Sequence, residues 1–404
     1  MKKSNSEQSR RSFLGNISKA SLLGMTGIIP AVAKAGIHPA DNPDITFLCK
    51  PYLQYPGPHT ISVMWLTSRP SYSWVEYGID GQLNQKAHSI HHGLVDANNR
   101  RHRIELGPLQ PGKKYSYKVY SKNILSFEPY KMTYGNTITS DTYTFTAPDP
   151  QAKEVSWLII NDIHDRPASI PHLMGLNGQD PYDFVFFNGD VFDYQADEQQ
   201  IIDHMLTPCG DIFSTRTPFM YVRGNHETRG KYAREWHQYF DNPGHNNYFT
   251  FNIGPVFAIV LDTGEDKEDT HPVYAGIVDF DAYRQQQAQW LEQQLQSPAF
   301  KKAKHKVVMM HIPHYHSGEW HGVKHCREMF GDLFNKHKID ILVCGHTHQY
   351  GVYAPVKGQH EYPLIIGGGP KDGARTLIKI KADQQQLVLT MLKDDGTKVG
   401  EYTV

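Results

Sequence analysis

Five clusters of carboxylate, amide and imidazole side chains punctuate the chain between residues 161 and 348. They are Asn161-Asp162-Ile163-His164, Gly189-Asp190-Val191-Phe192-Asp193, Gly224-Asn225-His226-Glu227, His311 after Val307-Val-Met-Met, and Gly345-His346-Thr347-His348. Carboxylate oxygen, amide oxygen and imidazole nitrogen are ligands for borderline cations such as iron, manganese or zinc, and no cysteine stands among them to select a softer ion. One Asp-x-His carries little information in a chain of this length. Five such clusters, each closing an apolar run, describe metal chemistry. Asp190 is the anchor, because a carboxylate leaving a buried strand can bridge two ions.

The elements that must position these residues are legible in the same stretches. Apolar runs at 155–160, 184–187, 218–222, 256–261, 307–310 and 339–343 have the continuous hydrophobicity of strands buried on both faces. Helix-like segments lie among them at 197–206, 231–240, 281–295 and 327–337. In 281–295, Tyr283, Gln287, Trp290, Leu291 and Leu295 oppose a Gln-rich face, which predicts an amphipathic structural helix. Alternating strands and helices predict an α/β layered domain, with ligands gathered beyond the carboxyl ends of its strands. The runs at 362–369 and 386–392 read as closing strands of the same domain.

Ahead of this domain the rhythm differs. Residues 45–148 hold short alternating segments such as Thr60-Ile-Ser-Val-Met-Trp-Leu-Thr and Tyr115-Ser-Tyr-Lys-Val-Tyr, with Pro56-Gly57-Pro58 and Pro111-Gly112 as turn signals. That pattern predicts a β-sandwich, followed by a Pro-containing linker at 144–150.

With 404 residues, 41 Lys and Arg against 42 Asp and Glu, and 39% hydrophobic content, the chain is long enough for two domains with sizeable cores. The near-neutral charge and the lack of a basic stripe interleaved with aromatics argue against a nucleic-acid partner. The 23 histidines are an unusual number and raise the expectation of a metal site. Cys49, Cys209, Cys326 and Cys344 lack zinc-like spacing. Cys344 ends an apolar run and reads as a core residue, and a Cys209–Cys326 bridge is open to the chain in an oxidising compartment, one of three connectivities among which the sequence does not choose. Ser9-Arg10-Arg11-Ser12-Phe13-Leu14, a weakly apolar segment and Ala31-Val32-Ala33 resemble a twin-arginine signal peptide over residues 1–33. No later run approaches the ~18 apolar residues of a membrane span. The expectation is a mature chain without a span, passed to the twin-arginine export machinery and located in the bacterial periplasm or secreted.

The five clusters resemble the motifs of the calcineurin-like metallophosphoesterase superfamily. The front segment, with Pro51-Tyr52-Leu53, Val63-Met-Trp65, Val75-Glu-Tyr-Gly78, His102-Arg-Ile-Glu-Leu106 and Leu109-Gln-Pro-Gly112, resembles the fibronectin type III-like domain of purple acid phosphatases. After the signal peptide read at 1–33, this resemblance implies an all-β sandwich at 41–149 and an α/β metallophosphoesterase domain at 150–404. It implies that Asp162, His164 and His348 bind one metal, Asn225, His311 and His346 the other, and that Asp190 bridges them. Two ions about 3.5–4 Å apart can share a hydroxide, lower its pKa to near neutral and clamp phosphoryl oxygens during in-line attack. The expected cofactors are therefore two ions of Fe, Mn or Zn, and the expected substrate a small-molecule phosphomonoester. By the same resemblance, His226 faces the phosphate and protonates the leaving oxygen, Asp193 holds His226 as its imidazolium, and His316 and His321 contact phosphate.

Two departures matter. The family's purple members carry Asp-x-Gly at the first cluster and a tyrosine three residues after the bridging Asp. Here His164 and Asp193 occupy those places, with Tyr194 one position too late, so no iron–tyrosinate colour is expected. Alternatives on the same site are a phosphodiesterase or a nucleotidase, the latter drawing on Tyr315, Trp320 and Phe192 for a base. From another class, the chain could be an inactive metal-site binding protein working through its sandwich, but every ligand position and His226 are filled.

Overall fold

The computed structural model describes residues 44–404; the expected signal peptide at 1–33 lies outside them. Two β-sheets carry the second part of the chain, and side-chain alternation explains how they stack. In the first sheet, Val155–Ile160, Phe184–Asn188 and Phe219–Val222 run parallel, flanked by the antiparallel strands Thr376–Ala382, Leu387–Lys393 and Lys398–Thr403. The second has the order Phe249–Ile253, Val256–Leu261, His305–Met310, Ile341–Cys344, Leu364–Ile366 and Gly351–Tyr353. Trp157, Ile159, Phe184, Phe186, Met220 and Val222 pack against Ala258, Val260, Val307, Met309, Val343 and Ile365, forming one core between the sheets. The alternate residues point outward. Leu158, Ile160, Val185 and Phe187 meet Ile170, Leu173, Ile201 and Leu206, while Ile259, Leu261, Val308 and Leu342 meet Leu291, Leu295, Phe330 and Phe334. The result is the layered α/β domain that the runs predict, the central strands being apolar on both faces because both are covered.

The helix expected at 281–295 spans Phe280–Gln296 and buries Phe280, Arg284, Gln287, Leu291 and Leu295. Buried Arg284 and Gln287 interrupt its apolar stripe. The segment 197–206 lies in a helical run from Glu198 to Ile212 that includes a π turn at Ile202–Leu206. The segment 231–240 is corrected. It holds only the 3₁₀ turn Trp236–Tyr239, because Trp236 and Phe240 are recruited around Tyr221, with ring centroids 4.8 and 4.9 Å away. Aromatic packing there overrides helical spacing.

In the front part, Leu53, Val63, Trp65, Val75, Ile104, Tyr115, Tyr117, Val119 and Phe145 form their own core. The expected linker begins later than its first residues suggest, since Tyr143–Thr146 is a strand paired with Lys114–Tyr117. The sandwich is joined to the α/β part by backbone pairing. Tyr52–Pro56 pairs with Ile61–Ile79 on one side and, through Gln54 opposite Phe219, in parallel with Phe219–Val222 on the other. Tyr117 donates to the Thr215 carbonyl (2.9 Å) and Ser62 to the Asp241 carboxylate. Cys209 and Cys326 sit in different cores, and all four cysteines are free. No helix among the described residues is long and apolar enough to cross a membrane.

Candidate metal centre

The parallel strands place the five clusters at one edge. Val155–Ile160 delivers Asp162 and His164, Phe184–Asn188 delivers Asp190 and Asp193, and Phe219–Val222 delivers Asn225 and His226. From the facing sheet, His305–Met310 delivers His311 and Ile341–Cys344 delivers His346 and His348. Tight turns follow these strands. Asp162, His164, Asp190, His346 and His348 all have positive φ, between 49° and 74°. For non-glycine residues this conformation costs roughly 1–3 kcal/mol each, and such residues gather at functional sites. Gly189, with φ of 86°, permits the close approach of His311, whose ring a Cβ would strike.

Two groups of ligand atoms result, Asp162–His164–His348 and Asp190–His311–His346, each within 4.8 Å of one another. His348 Nε2 lies 3.0 Å from His164 Nε2 and 3.3 Å from Asp162 Oδ1. Asn225 Oδ1 joins the second group 3.0 Å from His346 Nδ1. Asp190 Oδ2 stands between the groups, 2.9 Å from His311 Nε2 and 3.6 Å from His164 Nε2. All seven expected ligands are thus gathered, with Asp190 central.

The donor chemistry fits cations. His311 Nδ1 donates to the Asn188 carbonyl (2.8 Å), which leaves an Nε2 lone pair facing a carboxylate oxygen. Buried His311 Nε2 and Asp162 Oδ1 have no hydrogen-bond partner. Without a cation the centre must recruit protons. Although burial opposes charge on both rings, the Asp190 and Asp162 carboxylates push His311 up to about 10 and His164 up to about 9. Each group thus favours positive charge, which a metal ion would supply without a proton.

The surroundings depart from expectation at Asp193. Its backbone N–H is held by Asp165 Oδ2 (2.8 Å), and its carboxylate turns back to His164 Nδ1 (2.8 Å). What His226 Nδ1 meets is the Asp193 carbonyl oxygen, at 2.8 Å. The expected carboxylate–imidazole pair of Asp193 with His226 is thus corrected to Asp193 with His164, the arrangement that fixes the tautomer of a metal-binding histidine. On the other side of His226, Arg229 Nη1 donates to Nε2 (3.0 Å), and burial lowers the pKa of this ring.

His316 and His321 do not join the centre. His316 stacks on Tyr353 and meets His360 Nε2 at 3.0 Å, while His321 meets Asp281. Tyr194 is more than half exposed and takes no part. Three residues without a predicted role do. Glu227, fully buried, accepts the backbone N–H groups of Asp190 (2.9 Å), Phe192 (3.1 Å) and Gly224 (2.6 Å) and the Tyr221 hydroxyl (2.6 Å). Asn161 Nδ2 donates to Asp162 Oδ2 (2.6 Å) and to the Gly368 carbonyl (2.9 Å). Arg229 is gripped by Glu265 through two hydrogen bonds of 2.8 and 2.9 Å. A charged residue directly after or three places beyond His226 was the available signal for Glu227 and Arg229.

Residues 156–350 match the family described as calcineurin-like phosphoesterase, and residues 48–147 match the purple acid phosphatase N-terminal domain. A probable purple acid phosphatase 20 from Arabidopsis thaliana is 26% identical over 374 residues, covering 84% of this chain and 78% of the relative. Acid phosphatase type 7 from Mus musculus is likewise 26% identical, covering 84% and 79%. Among solved structures, the purple acid phosphatase PPD1 from yellow lupin (Lupinus luteus) has a TM-score of 0.67 at 17% identity, covering 87% of this chain and 73% of that one. PhoD has a TM-score of 0.61 at 12% identity, covering 89% and 93%. At these identities the structures speak for the fold. Residues 156–350 thus match a calcineurin-like phosphoesterase domain, residues 48–147 in front of it match a purple acid phosphatase N-terminal domain, and the fold is shared with the lupin structure.

Proposed function

We propose that the chain is an exported dinuclear-metal hydrolase of phosphomonoesters. The observation that carries this reading is Asp190 Oδ2, which lies within reach of one imidazole from each ligand group. Asp162, His164 and His348 would hold one ion and Asn225, His311 and His346 the other. When bound, two such ions activate water for attack and neutralise the phosphoryl oxygens. The chain's own residues do the remainder. Asp193 orients His164, and Glu227 fixes the turn that carries Asp190.

His226 and Arg229 meet the substrate as a pair in this reading. A phosphoryl dianion draws the Arg229 guanidinium onto its oxygens, since Arg binds phosphate with paired N–H donors. The same dianion raises the proton affinity of His226. With Arg229 displaced from it, Nε2 is free to carry a proton to the leaving oxygen, and the Asp193 carbonyl retains the Nδ1 proton. The proposed division into a signal peptide at 1–33, a sandwich at 41–149 and a catalytic domain at 150–404 follows the sequence reading, as does twin-arginine export, which rests on Arg10-Arg11 and the small-residue cleavage pattern. A panel of mono- and diesters assayed alongside metal analysis tests the function. Turnover of monoesters is expected; no turnover of any ester by metal-loaded protein would favour a binding protein, and preference for diesters would change the substrate class.

A further inference from the structure

We propose that Asp281, His321 and His325 form a separate cation site that takes a divalent ion of the zinc class. Asp281 lies in the first turn of the helix Phe280–Gln296, and His321 and His325 stand four residues apart on the helix His321–Cys326. That spacing puts both imidazoles on one helix face, the geometry of a His-x₃-His metal pair. The three ligand atoms lie within 4.8 Å of one another. His321 Nε2 faces the mouth of the carboxylate, 2.9 and 2.8 Å from its two oxygens, and His325 Nδ1 is 3.1 Å from Oδ1.

His325 supplies the telling contact. Its Nδ1 is buried and has no hydrogen-bond partner, although it sits beside an acceptor oxygen. Its Nδ1 stays 3.1 Å from Asp281 Oδ1 without a hydrogen bond between them. A cation between the two atoms would serve both. Ligands about 2.0–2.1 Å from a tetrahedral ion are roughly 3.3 Å from each other, close to the 2.8 and 3.1 Å that separate the imidazoles from the carboxylate.

The surroundings suit such a site. Arg284 Nη1 donates to Asp281 Oδ1 (2.9 Å) and is itself fixed by the carbonyls of Thr263 (2.9 Å) and Glu265. It orients the carboxylate toward the two imidazoles. Two imidazoles and one carboxylate with no thiolate match zinc, and the partial exposure of Asp281 and His321 leaves the fourth position to water. None of these contacts involves the residues around Asp190, so the inference stands apart from the phosphatase reading. Arg284 does link the two regions, because Glu265, whose carbonyl it holds, grips Arg229.

The test is zinc content per chain of full-length protein loaded with excess Zn²⁺ and desalted, for wild type, Asp281→Asn and His325→Gln. Each variant should hold about one zinc fewer than wild type, and Co²⁺-loaded wild type should lose the corresponding share of its visible absorption on either substitution. Circular dichroism identifies a variant that fails to fold, in which case the other carries the comparison. Equal zinc content in wild type and a folded variant would overturn the proposal.

Discussion

Replacing Asp193 with Asn separates two roles for one carboxylate. The structure pairs it with His164 Nδ1 at 2.8 Å and leaves only its backbone carbonyl for His226. Asn keeps an acceptor oxygen but loses the charge that favours an Nδ1–H tautomer and a basic Nε2. Outer-shell changes of this kind cost about 10–100-fold in metal affinity. The Asp193 side chain is 52% exposed, so solvent screening places the effect near the lower bound, about 10-fold or ~1.4 kcal/mol. The assay is titration of metal-free protein with Mn²⁺, followed by kcat for nitrophenyl and alkyl phosphates at saturating metal. The apparent affinity should fall about 10-fold, with kcat largely restored by excess metal for both substrates. Unchanged affinity together with a kcat loss concentrated on the alkyl ester would refute this reasoning and return the carboxylate to His226.

Other perturbations have distinct signatures. His226→Ala should lower kcat by ~10²–10⁴-fold, and by less for nitrophenyl than for alkyl esters; equal losses would remove the acid role. Glu227→Gln replaces one of two acceptor oxygens with an NH₂ that faces N–H donors, leaving at least one buried donor unpaired, so a loss of about 1–3 kcal/mol is expected, read as a lower midpoint in denaturant. His102, buried beside Thr67 and Ser71, is pushed down to about 3 by burial. Its folded-state value lies below the unfolded ~6.5, so the unfolded chain binds the extra proton in between and stability falls as pH drops through that window. His102→Gln should therefore have a shallower decline of Tm from pH 6.5 toward 4 than wild type, and an unchanged slope would exclude His102 as its source.

The central strands announced themselves because they are apolar on both faces, and five of them end in a polar cluster, as 155–160 does at Asp162. The seven candidate ligands were legible as a cluster for the same reason: their types sit at strand ends, where the topology of parallel sheets brings them together. Second-layer geometry was not. Whether Asp193 turns its carboxylate to His164 or His226 depends on Asp165 holding its backbone N–H, a contact across 28 residues that no local pattern encodes. His321 and His316 followed the position of a loop, and their partners Asp281 and His360 come from elsewhere in the chain. The 231–240 segment had helical spacing but lost it to the cluster around Tyr221. Glu227 was visible as a residue, yet its burial beneath the Asp190 turn belongs to the fold.

Metal content and monoester turnover of Asp190→Ala, measured beside wild type, test the central reading most directly. Asp190 contacts both ligand groups, so its loss should reduce the bound metal and abolish turnover together. A folded variant that keeps the wild-type metal content, or hydrolyses monoesters at the wild-type rate, would show that the bridge and the reaction lie elsewhere.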